Sequence, residues 1–262
     1  MKLSDAQLQQ FDKDGFIVFK AFLDVQSCDA ILKVAKEHLE AYIEPIETEM
    51  GYDSRSKAYR TEVTDYSSKA EEKEVVVRRL RQVYDRSPLF KKWMENEDIR
   101  PALEQILHDN VVLTTAHHNS IMTKMPHISS ATGWHQDRRY WSYSDDNLVS
   151  VWLALDDETT ENGVLEFIPG SHKMHFKPEQ FDSKEYFSES HDANKKIIQT
   201  KVSTDLAKGD VVIFHSLLLH RANKNNTDKA KISFVYTVKG EKTKAKQGTR
   251  SAEFPEIILK KI

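Results

Sequence analysis

What most limits the fold of this chain is an abrupt change of character at Val111. From there on, β-branched and aromatic residues gather in short stretches divided by turn dipeptides, among them Asn162-Gly163, Pro169-Gly170 and Gly209-Asp210. Short strands at that spacing close into a sandwich or a barrel. The clearest strands fall at residues 121–125, 148–155, 163–168, 210–214 and 232–238. Ahead of Val111 the pattern is mostly helical. Ser4 and Gln7 have the spacing of a capping box, Asp14-Gly15 breaks the first helix, and Phe16-Ile17-Val18-Phe19 reads as a short buried strand. Cys28, Ile31, Leu32, Ala35, Leu39 and Tyr42 then recur every three or four residues, the mark of an amphipathic helix. Residues 44–73 are polar and without period, and 89–107 carries Pro88 and Pro101 at expected helix starts, so this middle part reads as loop followed by helices.

With 262 residues the chain fits a single domain: a mostly helical part at 1–110, a β core at 111–240 and a tail at 241–262. Hydrophobic residues make up 39% and the formal net charge is only -3, so no overall positive field draws the protein to nucleic acid or anionic lipid. The single cysteine excludes an internal disulfide and, with no apolar leader in residues 1–10, leads us to expect a cytoplasmic protein without a membrane span. Residues 181–196 are long, polar and dotted with aromatics; an inert surface loop is the default expectation and a lid the alternative. The lysine-rich stretch 239–246 reads as a solvated surface segment.

The chemistry concentrates in Gly133-Trp134-His135-Gln136-Asp137-Arg138-Arg139-Tyr140-Trp141. On a strand, residues two apart share a face, so His135 and Asp137 can offer a nitrogen and a carboxylate oxygen to one point. A third ligand must come from elsewhere, and the apolar strand before His215 and His220 offers either of them. Two imidazoles and one carboxylate on one face of a metal leave the opposite positions open, as in non-haem Fe(II) oxygenases. A His-x-Asp triplet alone arises readily by chance among eleven histidines, so its context decides. The bland reading holds for His117, His118 and His127, none of which has a carboxylate at ligand spacing. Arg138 and Arg139 are expected either on the substrate side or in surface ion pairs, and Tyr140 and Trp141 as wall.

Several separated pieces resemble the phytanoyl-CoA dioxygenase family of Fe(II)- and 2-oxoglutarate-dependent oxygenases. They are Trp134-His135-Gln136-Asp137 with Tyr140-Trp141, the hairpin from Glu161-Asn162-Gly163 to Ile168-Pro169-Gly170-Ser171-His172, the run from Gly209-Asp210 to His220, and the opening Asp14-Gly15-Phe16. The resemblance implies a double-stranded β-helix, a cupin-like jelly-roll barrel, with His135, Asp137 and His220 as iron ligands and His215 as a structural residue. It places cosubstrate contacts on Lys124, Gln136 and Trp152, matches Asn225 and Thr227 to the loop after the last ligand, and leaves His172 structural. Where family members carry an arginine for the far carboxylate of 2-oxoglutarate, this chain has Lys231, eleven residues beyond His220, and Ala222 stands where a serine is common. An ammonium is a point charge and lacks the two-pronged grip of a guanidinium, so weaker cosubstrate binding or a different 2-oxo acid is expected. The implied activity is hydroxylation of a small organic substrate with O₂, releasing succinate and CO₂. The alternative is a non-catalytic metal- and 2-oxo-acid-binding barrel of the same fold.

Overall fold

Ser4 closes the first helix as its spacing to Gln7 requires. The Gln7 N–H donates to the Ser4 hydroxyl at 3.3 Å and the Ser4 N–H to Gln7 Oε1 at 2.9 Å. The computed structural model describes residues 1–49, 52 and 75–260. Helix α1 (Asp5–Asp14) ends where Gly15 turns left-handed at φ 84°. A Cβ at Gly15 would lie 2.5 Å from the His172 ring, so this turn needs both the conformation and the close approach that glycine allows. Strand β1 (Phe16–Phe19) follows, then α2 (Val25–Glu40), capped by Asp24 and burying Cys28, Ile31, Leu32 and Ala35. Tyr42 of the expected series lies beyond the helix and is exposed.

The middle part differs from the expectation of loop followed by helices. Strands β2 (Ile46–Thr48) and β3 (Val77–Arg81) pair with each other and precede α3 (Pro88–Met94) and α4 (Arg100–Leu107). The alternation of Val77-Arg78-Arg79-Leu80-Arg81 is masked by three arginines, all buried or nearly so, whose charges are met by Glu47 and Glu49 at 2.7 to 3.1 Å. Much of the polar stretch 44–73 lies outside the described residues.

The strands that follow are β4 (Val111–Lys124), β5 (Thr132–His135), β6 (Leu148–Ala154), β7 (Leu165–Phe167), β8 (Val202–Ser203), β9 (Val211–His215), β10 (His220–Ala222), β11 (Lys231–Gly240) and β12 (Glu256–Ile258). The large antiparallel sheet runs β1-β9-β6-β11-β4-β3-β2, with β12 also on β4; the small sheet runs β5-β10-β7-β8. Two facing antiparallel sheets with this crossing connectivity make the expected jelly-roll. The central strands β6 and β11 are buried at every position because both their faces are covered. Val149, Val151 and Leu153 of β6, with Ile213, Phe234 and Tyr236, pack in one core cluster with residues of the helices. Trp152, Ala154, Val212, Phe214 and Val235 point the other way, into the barrel against Leu165 and Phe167 of the small sheet. Burying a side chain of this size contributes about 1.5–3 kcal/mol.

Two surface expectations change. The segment 181–196 is no inert loop: Phe181 and Phe187 pack in a cluster with Trp134, the Tyr140 hydroxyl donates to Lys184 O at 2.7 Å, and the segment leads into α5 (Asp192–Ile198). In the lysine-rich stretch, Lys239 belongs to β11 and is buried, its ammonium 3.0 Å from Glu256, while Lys242, Lys244 and Lys246 are exposed. The tail itself returns through α6 (Arg250–Glu253) to add β12.

Candidate metal centre and its two cavities

The ladder between β5 and β10 sets His135 directly opposite His220, and their ring centroids are 4.2 Å apart. Each ring is turned the same way. His135 Nδ1 donates to Gly133 O and His220 Nδ1 to Leu218 O, both at 2.9 Å. A carbonyl can only accept, so Nδ1 carries the proton and Nε2 keeps its lone pair. Both Nε2 atoms meet the Asp137 carboxylate, at 3.6 Å from His135 and 3.7 Å from His220. The three ligand atoms lie within 4.8 Å of one another, a spacing one metal ion can bridge. Asp137 does not reach this point by strand alternation as expected. β5 ends at His135, and Asp137 opens a 3₁₀ turn, Asp137–Tyr140, held by Arg138 N–H on Ser216 O.

The electrostatics suit a divalent cation. Burial alone would raise the Asp137 carboxyl, but the imidazoles beside it, above all His118 at hydrogen-bond distance, hold it well below the usual carboxylate range. Burial, with His135 beside it, pushes the His220 ring down to about 4, so it stays neutral and ready to ligate. Two imidazoles with their Nε2 atoms turned to one point and one carboxylate fit Fe(II) and leave room for further ligands.

His118, expected to be inert, lies 3.1 Å from Asp137 Oδ1. The pairing of β4 with β11 slips between Tyr236 and Thr237, so residues 115–118 have no partner on β11. In this bulge His117 and His118, consecutive along the chain, are turned to the same cavity, which an even pleat would forbid. No local spacing shows this, because a bulge is a property of the pairing. His127 pairs at the surface with Asp228, and His172 and His215 pack against each other 5.3 Å apart, away from the triad.

Two cavities meet at the triad, and Arg79, His118 and His135 line both. The first is further lined by Lys124, Trp152, Phe214, His220 and Lys231. The second has Asp137, Tyr140, Trp141, Tyr52 and Arg250 on its walls. Of the cosubstrate contacts expected, Lys124, Trp152 and Lys231 thus share the first cavity. Gln136 does not: lying between two inward ligands it faces away, and its amide donates to Leu217 O in the loop before His220. Asn225 supports the wall from behind, its amide donating to Lys124 O and Lys229 O and its carbonyl accepting from Thr227. Arg138 pairs with Asp146 and Arg139 with Glu185, which resolves both as ion-paired residues.

Lys231 Nζ, however, is 2.9 Å from Glu158 Oε2, with both side chains buried. Glu158 Oε1 also accepts from Ser233 Oγ at 2.6 Å and Trp152 Nε1 at 3.0 Å. Nothing in the local sequence marks Glu158, which sits in an acidic turn.

Comparison with known proteins agrees with this geometry. The family model for phytanoyl-CoA dioxygenase matches residues 11–233. The phytanoyl-CoA dioxygenase domain-containing protein 1 of Danio rerio is 24% identical over 266 residues, covering 90% of this chain and 89% of that protein. Its homolog in Caenorhabditis briggsae is 29% identical over 164 residues, covering 58% of this chain and about half, 54%, of that protein. Among solved structures, EctD from S. alaskensis with bound Fe superposes with a TM-score of 0.74 at 19% identity, over 93% of this chain and 79% of its own, and it has also been solved with 2-oxoglutarate. With a jelly-roll barrel, a donor set that suits iron and a family model over most of its length, the chain belongs to the phytanoyl-CoA dioxygenase family.

Proposed function

We propose that the protein hydroxylates a small organic substrate, with Fe(II) on His135, Asp137 and His220 and with succinate and CO₂ as coproducts. The observation that supports this reading most is the meeting of two separate cavities at one triad, since the reaction needs cosubstrate and substrate on adjoining sides of one metal. Bound there, the iron and the 2-oxo acid supply the oxidising chemistry through O₂. The chain's own part is placement. The His135 and His220 rings are locked by the carbonyls of residues 133 and 218, and His118 steadies the Asp137 carboxylate. Lys124, at the end of β4, can offer its ammonium to the far end of the cosubstrate, and the ring of Trp152 forms wall beside it. On the other side Tyr140 and Trp141, both buried, shape a dry substrate pocket. The reducing cytoplasm fits a chain whose one thiol, Cys28, is buried. Among the described residues no helix is long and apolar enough to cross a membrane.

Anaerobic addition of Fe(II) and then 2-oxoglutarate should produce the weak visible charge-transfer band of the chelate, and admission of O₂ should yield succinate in step with loss of the band. A protein that binds iron tightly yet never develops the band sinks the proposal. The second reading, a barrel that binds a 2-oxo acid without turning it over, is favoured by the engagement of Lys231 with Glu158; a persistent band with no succinate under O₂ and candidate substrates would select it.

A further inference from the structure

The wall of the first cavity carries five cations, Arg78, Arg79, Lys124, Arg221 and Lys231. Four of them already have carboxylates: Arg78 has Glu49 at 2.7 Å, Arg79 has Glu47 at 3.1 Å, Arg221 has Glu166, and Lys231 has Glu158 at 2.9 Å. Lys124 differs. Among the described residues its ammonium donates only to backbone carbonyls, Ser130 O at 2.6 Å and Ala222 O at 3.5 Å. The ladder between β4 and β11 sets Lys124 directly opposite Lys231, where two like charges on one face repel unless one is neutralised. Glu158 does this. Its carboxylate is fully buried and held on three sides by Lys231, Ser233 and Trp152, so the pair is fixed in place as well as compensated.

We infer that Glu158 is a specificity-determining residue: it silences Lys231 as a carboxylate receptor and leaves the far end of the 2-oxo acid to Lys124 alone. This rests on the oxygenase reading above. An ion pair whose carboxylate is held by three donors presents no net charge to a ligand, and breaking it to free the ammonium would strand a buried carboxylate. Selectivity for a dicarboxylate over a 2-oxo acid with an uncharged end is therefore set by one lysine rather than two, and it can be raised by removing Glu158.

The test is a titration of the anaerobic Fe(II) protein with 2-oxoglutarate and with 2-oxobutyrate, followed by the charge-transfer band and by calorimetry. The double variant Glu158→Gln with Lys231→Met replaces the pair by neutral groups of similar size, which buried pairs commonly tolerate. It should bind both acids within about threefold of the parent chain, because a compensated charge has been removed. Glu158→Gln alone, which keeps the hydrogen-bond acceptor for Ser233 and Trp152 while freeing Lys231, should tighten 2-oxoglutarate about tenfold and leave 2-oxobutyrate unchanged. A loss of about tenfold or more in 2-oxoglutarate affinity in the double variant, with 2-oxobutyrate unaffected, would show Lys231 to be the receptor and overturn the inference. So would weaker 2-oxoglutarate binding in Glu158→Gln, which would make Glu158 a positioning residue for Lys231. Failure of the parent chain to give a band with either acid is a different result, which removes the oxygenase reading and this inference together.

Discussion

The two sheets contribute to the barrel interior in opposite ways. The small sheet supplies His135 and His220, whose rings are oriented by the backbone just ahead of them, each Nδ1 bonding the carbonyl two residues earlier. The large sheet supplies Lys124, Trp152 and Lys231, whose polar groups are held by other parts of the chain, Trp152 and Lys231 by Glu158 and Lys124 by backbone carbonyls. A ligand oriented by the backbone just ahead of it is prepared before any metal arrives. A cation whose partner comes from a distant turn can be switched on or off by a single substitution, and cosubstrate preference can drift while the metal site stays intact.

The contrast can be broken most directly at the metal. Asp137→Ala removes the only carboxylate of the triad and should abolish Fe(II) or Co(II) binding in a metal titration, a loss beyond the roughly 100-fold typical of an outer-shell partner. Retention of tight binding would mean that another acid serves. A smaller effect is expected on the lysine side. Burial, reinforced by the cations of Arg78 and Lys231, pushes the Lys124 ammonium down to about 6, so above that pH the amine must take up a proton to face a carboxylate. The affinity for 2-oxoglutarate should therefore rise as pH falls from 8 to 6, by up to about tenfold per unit, and Lys124→Met should flatten that slope. Calorimetry in buffers of different ionisation heat measures the proton uptake, and a slope of the opposite sign would remove Lys124 from the far carboxylate. The smallest effect sharpens the comparison. His118 comes from the large sheet but serves the metal, and His118→Ala should weaken Co(II) binding about tenfold and alter its visible spectrum while leaving the melting transition near that of the parent. Unchanged metal affinity would confine His118 to the substrate side.

Much of the fold is legible in the order of residues alone. The first helix and its glycine stop, the amphipathic α2 and the central strands β6, β9 and β11 rest on local spacing and composition, and each lies where that pattern sets it. Strands β2 and β3 are hidden because their inward positions are arginines, acceptable only once Glu47 and Glu49 are opposite them. Gln136, between two ligands in the sequence, turns its side chain away from them to Leu217 O.

The sequence by itself determined which residue types could bind a metal and that His135 and Asp137 stand two residues apart in the chain, because ligand chemistry and close spacing are local properties. Only the tertiary structure decided that a bulge in β4 turns His118 onto Asp137 and that a buried glutamate takes up the charge of Lys231. Both depend on which strands pair and in what register, and contacts between residues far apart in the chain leave no trace in local spacing.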